Sequence, residues 1–234
     1  SVAKLTLPII SDPSAMFNAL KSGQIDVSSR TVPAELVSTF TSSGEFKLAE
    51  SSNLSIVQFG LNYQKAPFNN EQFRQAMSFA VDRQAIVDTI LLGQGQAGDK
   101  GYPHPASPWT NPELSTPYDA QKAIALFEEL GYQDTNGDGF RETPEGDELN
   151  ISIKVSSAEP IYVRAAEMMV EQYKEVGLKL FVETLDPTTY AAHNSEKNFD
   201  TYVSLIGPHG VADPDQFIMS HRSGYLWAKE MPYP

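Results

Sequence analysis

Apolar residues recur along this chain with two periods. Between 118 and 130, Ala120, Ala123, Ile124 and Phe127 fall at i, i+3, i+4 and i+7, which lines one side of an α-helix. Over 149–155, Ile151, Ile153 and Val155 alternate with Ser152 and Lys154, which predicts a strand with one solvated face. The same reading predicts helices over 12–22, 33–43, 70–80, 82–92, 159–176 and 188–195, and strands over 46–50, 54–61, 178–184 and 200–206. Asp12 and Pro13 suit a helix start, and Gly23, Gly44, Gly93, Gly131 and Gly177 fall where helices should stop. A last helix is expected over 213–220, with Asp213 as its cap and Pro214 after it. Residues 93–117 are rich in Gly and Pro and read as a long irregular loop of the kind that is often functional. Strands alternating with helices make this an α/β chain, and 149–206 reads as β-α-β-α-β.

Composition removes several classes of function. The net charge of −13 disfavours nucleic acid, which needs clustered Lys and Arg, and disfavours anionic lipid. With no cysteine, disulfides, thiol catalysis and thiolate metal sites are excluded. No apolar run approaches the roughly 20 residues of a membrane-spanning helix. There is no initiator Met and no charged-then-apolar leader, so the chain reads as a mature protein or a piece of one. The tail 224–234 shows no regular pattern and reads as stopping within an element.

Several segments carry a family resemblance in the right order. They are ALKSGQID at 19–26, LNYQKAPFNNEQFRQA at 61–76, Val81-Asp82-Arg83, YDAQKA at 118–123 with Leu130-Gly131-Tyr132, DTNGDG at 134–139, Gly177-Leu178 and Asp213-Pro214-Asp215. Together they resemble the oligopeptide/dipeptide/nickel-binding family (family 5) of extracytoplasmic solute-binding proteins of ABC importers. The resemblance implies a periplasmic-binding-protein-like lobe with a mixed β-sheet flanked by helices, part of a two-lobed fold. Residues 1–48 would belong to the first lobe and the crossover, 49–206 to the second lobe, and 207–234 to the return toward the first. It implies a peptide or other small solute captured for delivery to ABC permease subunits of the full-length system. The place implied is extracytoplasmic, in a periplasm or on a cell-surface lipoprotein. The alternatives are a sensor or regulatory domain of the same fold and, less in keeping with the residues, a hydrolase or transferase. No G-x-S-x-G or H-E-x-x-H occurs, and the histidines lack ligand spacing, so no catalytic residue is assigned.

Two stretches could carry chemistry. Residues 134–145 follow the calcium-loop pattern D-x-[DN]-x-[DN]-G-x5-E. Asp134, Asn136 and Asp138 would offer oxygens, Phe140 its carbonyl, Glu142 a water-mediated contact and Glu145 the closing carboxylate. Pro144 replaces the usual exiting helix. The competing reading is a polar turn, where Asp, Asn and Gly are favoured anyway; a bound Ca2+ would be structural. The second stretch is the loop after the strand 200–206, since ligands of open α/β sheets bind beyond the carboxyl ends of strands. There His209 and Asp213 are ligand candidates, against a solvent-exposed turn for His209. The resemblance sets Gly207 and Gly210 where peptide-binding members carry a tryptophan and an aspartate that pairs with the peptide α-amine. Asn62, at a strand end expected near the cleft, Tyr63 beside it, and Trp109, which could stack on a solute, are further candidates. Each competes with an ordinary packing role.

Overall fold

The structure, a computed structural model, describes residues 3–10, 12–28, 31–50, 54–98 and 104–207. The chain divides into two compact units, Ser1–Leu48 and Ala49–Pro234.

The first unit contains α1 (Pro13–Lys21) and α2 (Ala34–Ser42). Asp12 caps α1 by accepting a hydrogen bond from the Ala15 N–H at 2.7 Å, which satisfies one of the orphan donors of the first turn. Its small core is Met16, Phe17 and Phe40, with Phe46 edge-on to Phe40 at 5.0 Å. The strand expected over 46–50 does not form. That stretch has no ladder partner, and Phe46 is held by its ring rather than by backbone pairing.

The second unit is built on a four-stranded sheet in the order β1-β4-β2-β3, from β1 (Ile56–Leu61), β2 (Asn150–Ser156), β3 (Lys179–Leu185) and β4 (Thr201–Ile206). The last three strands are parallel, and β1 runs antiparallel to β4 at one edge. The helix α6 (Pro160–Glu175) joins β2 to β3, and α7 (Pro187–Ser195) joins β3 to β4. The first connection steps outward along the sheet and the second steps back. Keeping both crossovers right-handed therefore sets α6 and α7 on opposite faces. The remaining helices are α3 (Glu71–Phe79), α4 (Arg83–Ile90) and α5 (Ala120–Glu129).

One core holds this unit together. Ile151, Ile153 and Val155 of β2 meet Ala166, Met169 and Tyr173 of α6, and these join Phe73 and Met77 of α3 and Phe127 of α5. Phe73 contacts the rings of Phe127 at 5.2 Å and Tyr132 at 4.9 Å, within the range where aromatic pairs gain beyond simple burial. The Tyr173 ring is fully buried and its hydroxyl donates to the Met77 carbonyl at 3.1 Å, so α6 is tied to the end of α3 by a satisfied polar group. Burial drives this phenol far above the usual tyrosine range.

The expected solvated face of β2 is also corrected. Ser152 and Lys154 are buried, because β2 is the inner strand of the parallel set and α7 packs on its second face. Lys154 Nζ sits 2.6 Å from Glu183 Oε2, its register partner on β3. Ser152 gives its N–H and its hydroxyl to Asp200 Oδ2, at 3.2 and 2.9 Å. Alternation of polar and apolar residues marked the two faces correctly, but it does not say whether a second layer covers the polar one.

Candidate functional site

The carboxyl ends of β2, β3 and β4 lie at one edge of the sheet. From that edge the chain leaves β2 for α6 and β3 for α7, on opposite faces, and leaves β4 at Gly207. Among the described residues, apart from its chain neighbours, no atom lies within 4 Å of where a Cβ on Gly207 would stand. His209 and Asp213 lie outside the described residues, as do Gly210, the helix expected over 213–220 and the tail.

Asn62 is at the other edge. Because β1 is antiparallel, Ile56 pairs with Ile206 and Leu61 with Thr201. Asn62 therefore sits about 20 Å from the carboxyl edge, taking ~3.4 Å per residue. It is buried, and its amide donates to the carbonyls of Lys197 at 3.1 Å and Phe199 at 3.0 Å. Its side-chain oxygen accepts from the Gln64 N–H. Asn62 is thus a brace between the end of β1 and the turn before β4, at the edge away from the carboxyl ends where the cleft is expected. Tyr63 goes with it to this amino edge. Trp109 is half exposed in the loop before α5, with its backbone N–H on Ser107 Oγ. The structure does not bring Asn62 and Tyr63 together with Gly207.

The acidic insert between α5 and β2 is held at the amino edge as well. Arg141 fixes it there. Its Nε–H donates to the Val176 carbonyl at 2.8 Å and its Nη1 to the Tyr132 carbonyl at 2.8 Å, so the guanidinium serves the C-terminal ends of α6 and α5, where a cation is favoured. Glu128 adds an ion pair at 3.6 Å. Gly177 has φ +79°, and its missing side chain leaves room for Arg141, whose nearest atoms stand 3.2 Å from a Cβ there. Nothing in the sequence pattern singled out Arg141; its role depends on where two distant helices end.

Within the insert, one ligand oxygen from each of Asp134, Asp138 and Glu142 lies within 4.8 Å of the others. Asp134 accepts from the N–H groups of Gly137 and Gly139, and Asp138 from that of Phe140. Asn136 accepts from the Asp138 N–H and donates to Glu142. Glu142 is buried and takes both the N–H and the hydroxyl of Thr135 at 2.7 Å. The bridges of Glu142 to Gln133 and to Glu148 draw this residue inward. Glu145 stays exposed and is not one of the three gathered carboxylates. Where an exiting helix would bring the last position of a calcium loop to the centre, this chain brings Glu142 instead.

Two surface grooves are open. One, about 470 Å³, adjoins the insert and is lined by Glu128, Asp134, Arg141 and Lys174. The other, about 500 Å³, lies beside Asp82, Arg83, Pro105 and Tyr118. Neither reaches the carboxyl edge of the sheet.

A mixed sheet with helices on both faces, and with its outgoing loop at the carboxyl edge, is the lobe of a periplasmic-binding-protein-like fold. The chain belongs to the bacterial extracellular solute-binding proteins, family 5, whose middle region matches residues 1–228. It is 26% identical over 235 residues to the oligopeptide-binding protein AppA of Bacillus subtilis (strain 168), covering 96% of this chain and 42% of that protein. It is 28% identical over 220 residues to heme-binding protein A of Haemophilus influenzae, covering 92% and 37%. Among solved structures, NikA from Brucella suis in complex with Fe(III)-EDTA superposes with a TM-score of 0.80 at 22% identity, covering 94% of this chain and 45% of that one. The chain spans about two fifths of the length of these curated relatives.

Proposed function

We propose that this chain is part of the solute-capturing component of an ABC importer, with 49–206 as the second lobe and 1–48 as a portion of the first. The observation that carries the reading is the family match across residues 1–228 on the matching fold. The exposed Leu5, Leu7, Ile9 and Val27 of the first unit support its place in a larger lobe, since such a run of bare apolar side chains suits a packing surface. The lobes would close on the solute by a hinge motion that the permease reads. The setting is extracytoplasmic, periplasmic or as a cell-surface lipoprotein, and the role is binding rather than catalysis. Among the described residues, no helix is long and apolar enough to cross a membrane.

The candidate solute classes come from the family. Relatives and structural neighbours include proteins named for oligopeptides, heme and nickel, and structures holding a nonapeptide, Fe(III)-EDTA, stachyose and mannohexaose. Gly207 offers no side chain for stacking, so this chain suits a solute held by other contacts. His209, Asp213 and Trp109 remain its candidate ligands. Calorimetry on the full-length protein, titrated in turn with peptides, heme, nickel chelates and oligosaccharides, is expected to find one class that binds. Failure with all of them would overturn the reading.

A second reading concerns the insert, where Asp134, Asp138 and Glu142 gather. Oxygens up to 4.8 Å apart fit around a Ca2+ whose bonds are about 2.4 Å. None of these carboxylates forms an ion pair with Lys or Arg among the described residues. Asn136, the Phe140 carbonyl and Glu145 would complete the set after a local rearrangement of Glu145. The ion would be structural, cross-linking the turn. Calcium at 100 times its Kd is expected to stabilise the protein by about 2.7 kcal/mol over the chelated form. An unchanged melting temperature in millimolar calcium and in chelator removes this reading.

A further inference from the structure

The sheet is two well-paired ribbons joined by a short seam. Seven register pairs link β2 to β3 and six link β1 to β4, but only Ile153–Thr201 and Lys154–Tyr202 link β2 to β4. Beyond Tyr202 the β2–β4 ladder does not continue to Val155 and Ser156, although Val155 and Val203 share the buried core. Side chains finish the seam at both ends. At the amino end Asp200 accepts from the Ser152 N–H and hydroxyl, and the Thr201 hydroxyl donates to the Ser152 carbonyl at 2.7 Å.

At the carboxyl end the only comparable tie among the described hydrogen bonds comes from α7. The Asn62 N–H reaches the Asp200 carbonyl, so even-numbered residues of β4 turn their backbone groups to β1 and odd-numbered ones turn theirs toward β2. The Val203 carbonyl is therefore the acceptor that a continued ladder would have used. The Tyr190 hydroxyl of α7 donates to it at 2.7 Å. We infer that Tyr190 is a pin: it fixes the carboxyl half of the β1–β4 ribbon to the body of the lobe, and its release lets that ribbon swing as one piece.

The ribbon is stiff enough to move as a unit. Gly60 lets the Tyr202 ring lie across it, for a Cβ there would stand 2.3 Å from ring atoms. The Tyr202 hydroxyl accepts from Gln58 Nε2 at 2.8 Å, and Phe199 meets the ring edge-on at 4.9 Å. Near its carboxyl end Val57 and Leu205, register partners, are both about half exposed among the described residues. The pin itself is slender, because α7 buries no side chain. Burial raises the Tyr190 phenol above the usual tyrosine range, against smaller opposing effects of Asn194 and Ser204, so the hydroxyl keeps its proton at neutral pH.

Amide hydrogen exchange on the protein and on Tyr190→Phe tests the pin. Exchange over 56–61 and 201–207 is expected to quicken about three- to tenfold, the worth of one hydrogen bond, while 150–156 and 179–185 keep their rates. Tyr162→Phe, a partly buried tyrosine of α6, is the control and leaves all four strands unchanged. Unaltered exchange in β4 of Tyr190→Phe overturns the inference. So does an equal acceleration of every strand, or the same response from Tyr162→Phe.

Discussion

The two faces of β2 are both buried, yet they are held by different physics. On the α6 face, Ile151, Ile153 and Val155 interlock with Ala166, Met169 and Tyr173. On the α7 face, Ser152 and Lys154 lie under a helix that buries no side chain of its own. The first face is stabilised by removing apolar surface from water, which needs close fit but no particular partner. The second is tolerable only because each polar group has a named partner: Asp200 for Ser152 and Glu183 for Lys154. The comparison teaches that one strand can serve as the anchor of a core on one side and as a set of replaceable polar links on the other.

Substitutions can separate the two. Ile153→Ala, at a fully buried position, is expected to cost about 2–5 kcal/mol in chemical denaturation, from lost transfer energy and the cavity left behind. A loss under 1 kcal/mol would mean that the α6 face collapses around the gap. Glu183→Gln strands the Lys154 ammonium and is expected to cost about 1–2 kcal/mol. That is less than a deeply buried pair would lose, because the Glu183 side chain is 37% exposed. Ser152→Ala removes one of the two hydrogen bonds to Asp200 and is expected to cost about 1 kcal/mol. The double change Lys154→Met with Glu183→Leu is expected to be within about 1 kcal/mol of the parent, since both charges leave together. If it instead costs as much as Ile153→Ala, the polar face is as specific as the apolar one and the contrast fails.

Much of the fold was legible because its signals are local. Asp12, Asn70, Asp82 and Asp119 each cap the helix that follows, and a cap involves only residues two or three positions apart. The helical period around Phe127 and the alternation around Ile153 report on neighbours in sequence. The candidate site was less legible. Asn62 was placed by the strand it ends, but which edge that end faces depends on β1 running antiparallel to β4, a pairing across 140 or so residues. Glu145 fits a twelve-position pattern, but the bridges from Glu142 to Gln133 and Glu148 bring a different carboxylate inward. Lys154 looked solvated because alternation does not reveal whether a second helix covers a polar face.

The sequence by itself determined the α/β class, most of the elements and their ends, and the family. These rest on capping, periodicity and ordered short motifs, all of which are written within a few residues. Only the tertiary structure decided the strand order β1-β4-β2-β3, the opposite placement of α6 and α7, the Lys154–Glu183 pair and the reach of Tyr190 to Val203. Those depend on contacts between residues far apart in the chain. Each such contact is chosen by packing and by the need to satisfy buried polar groups, and no local pattern encodes that choice.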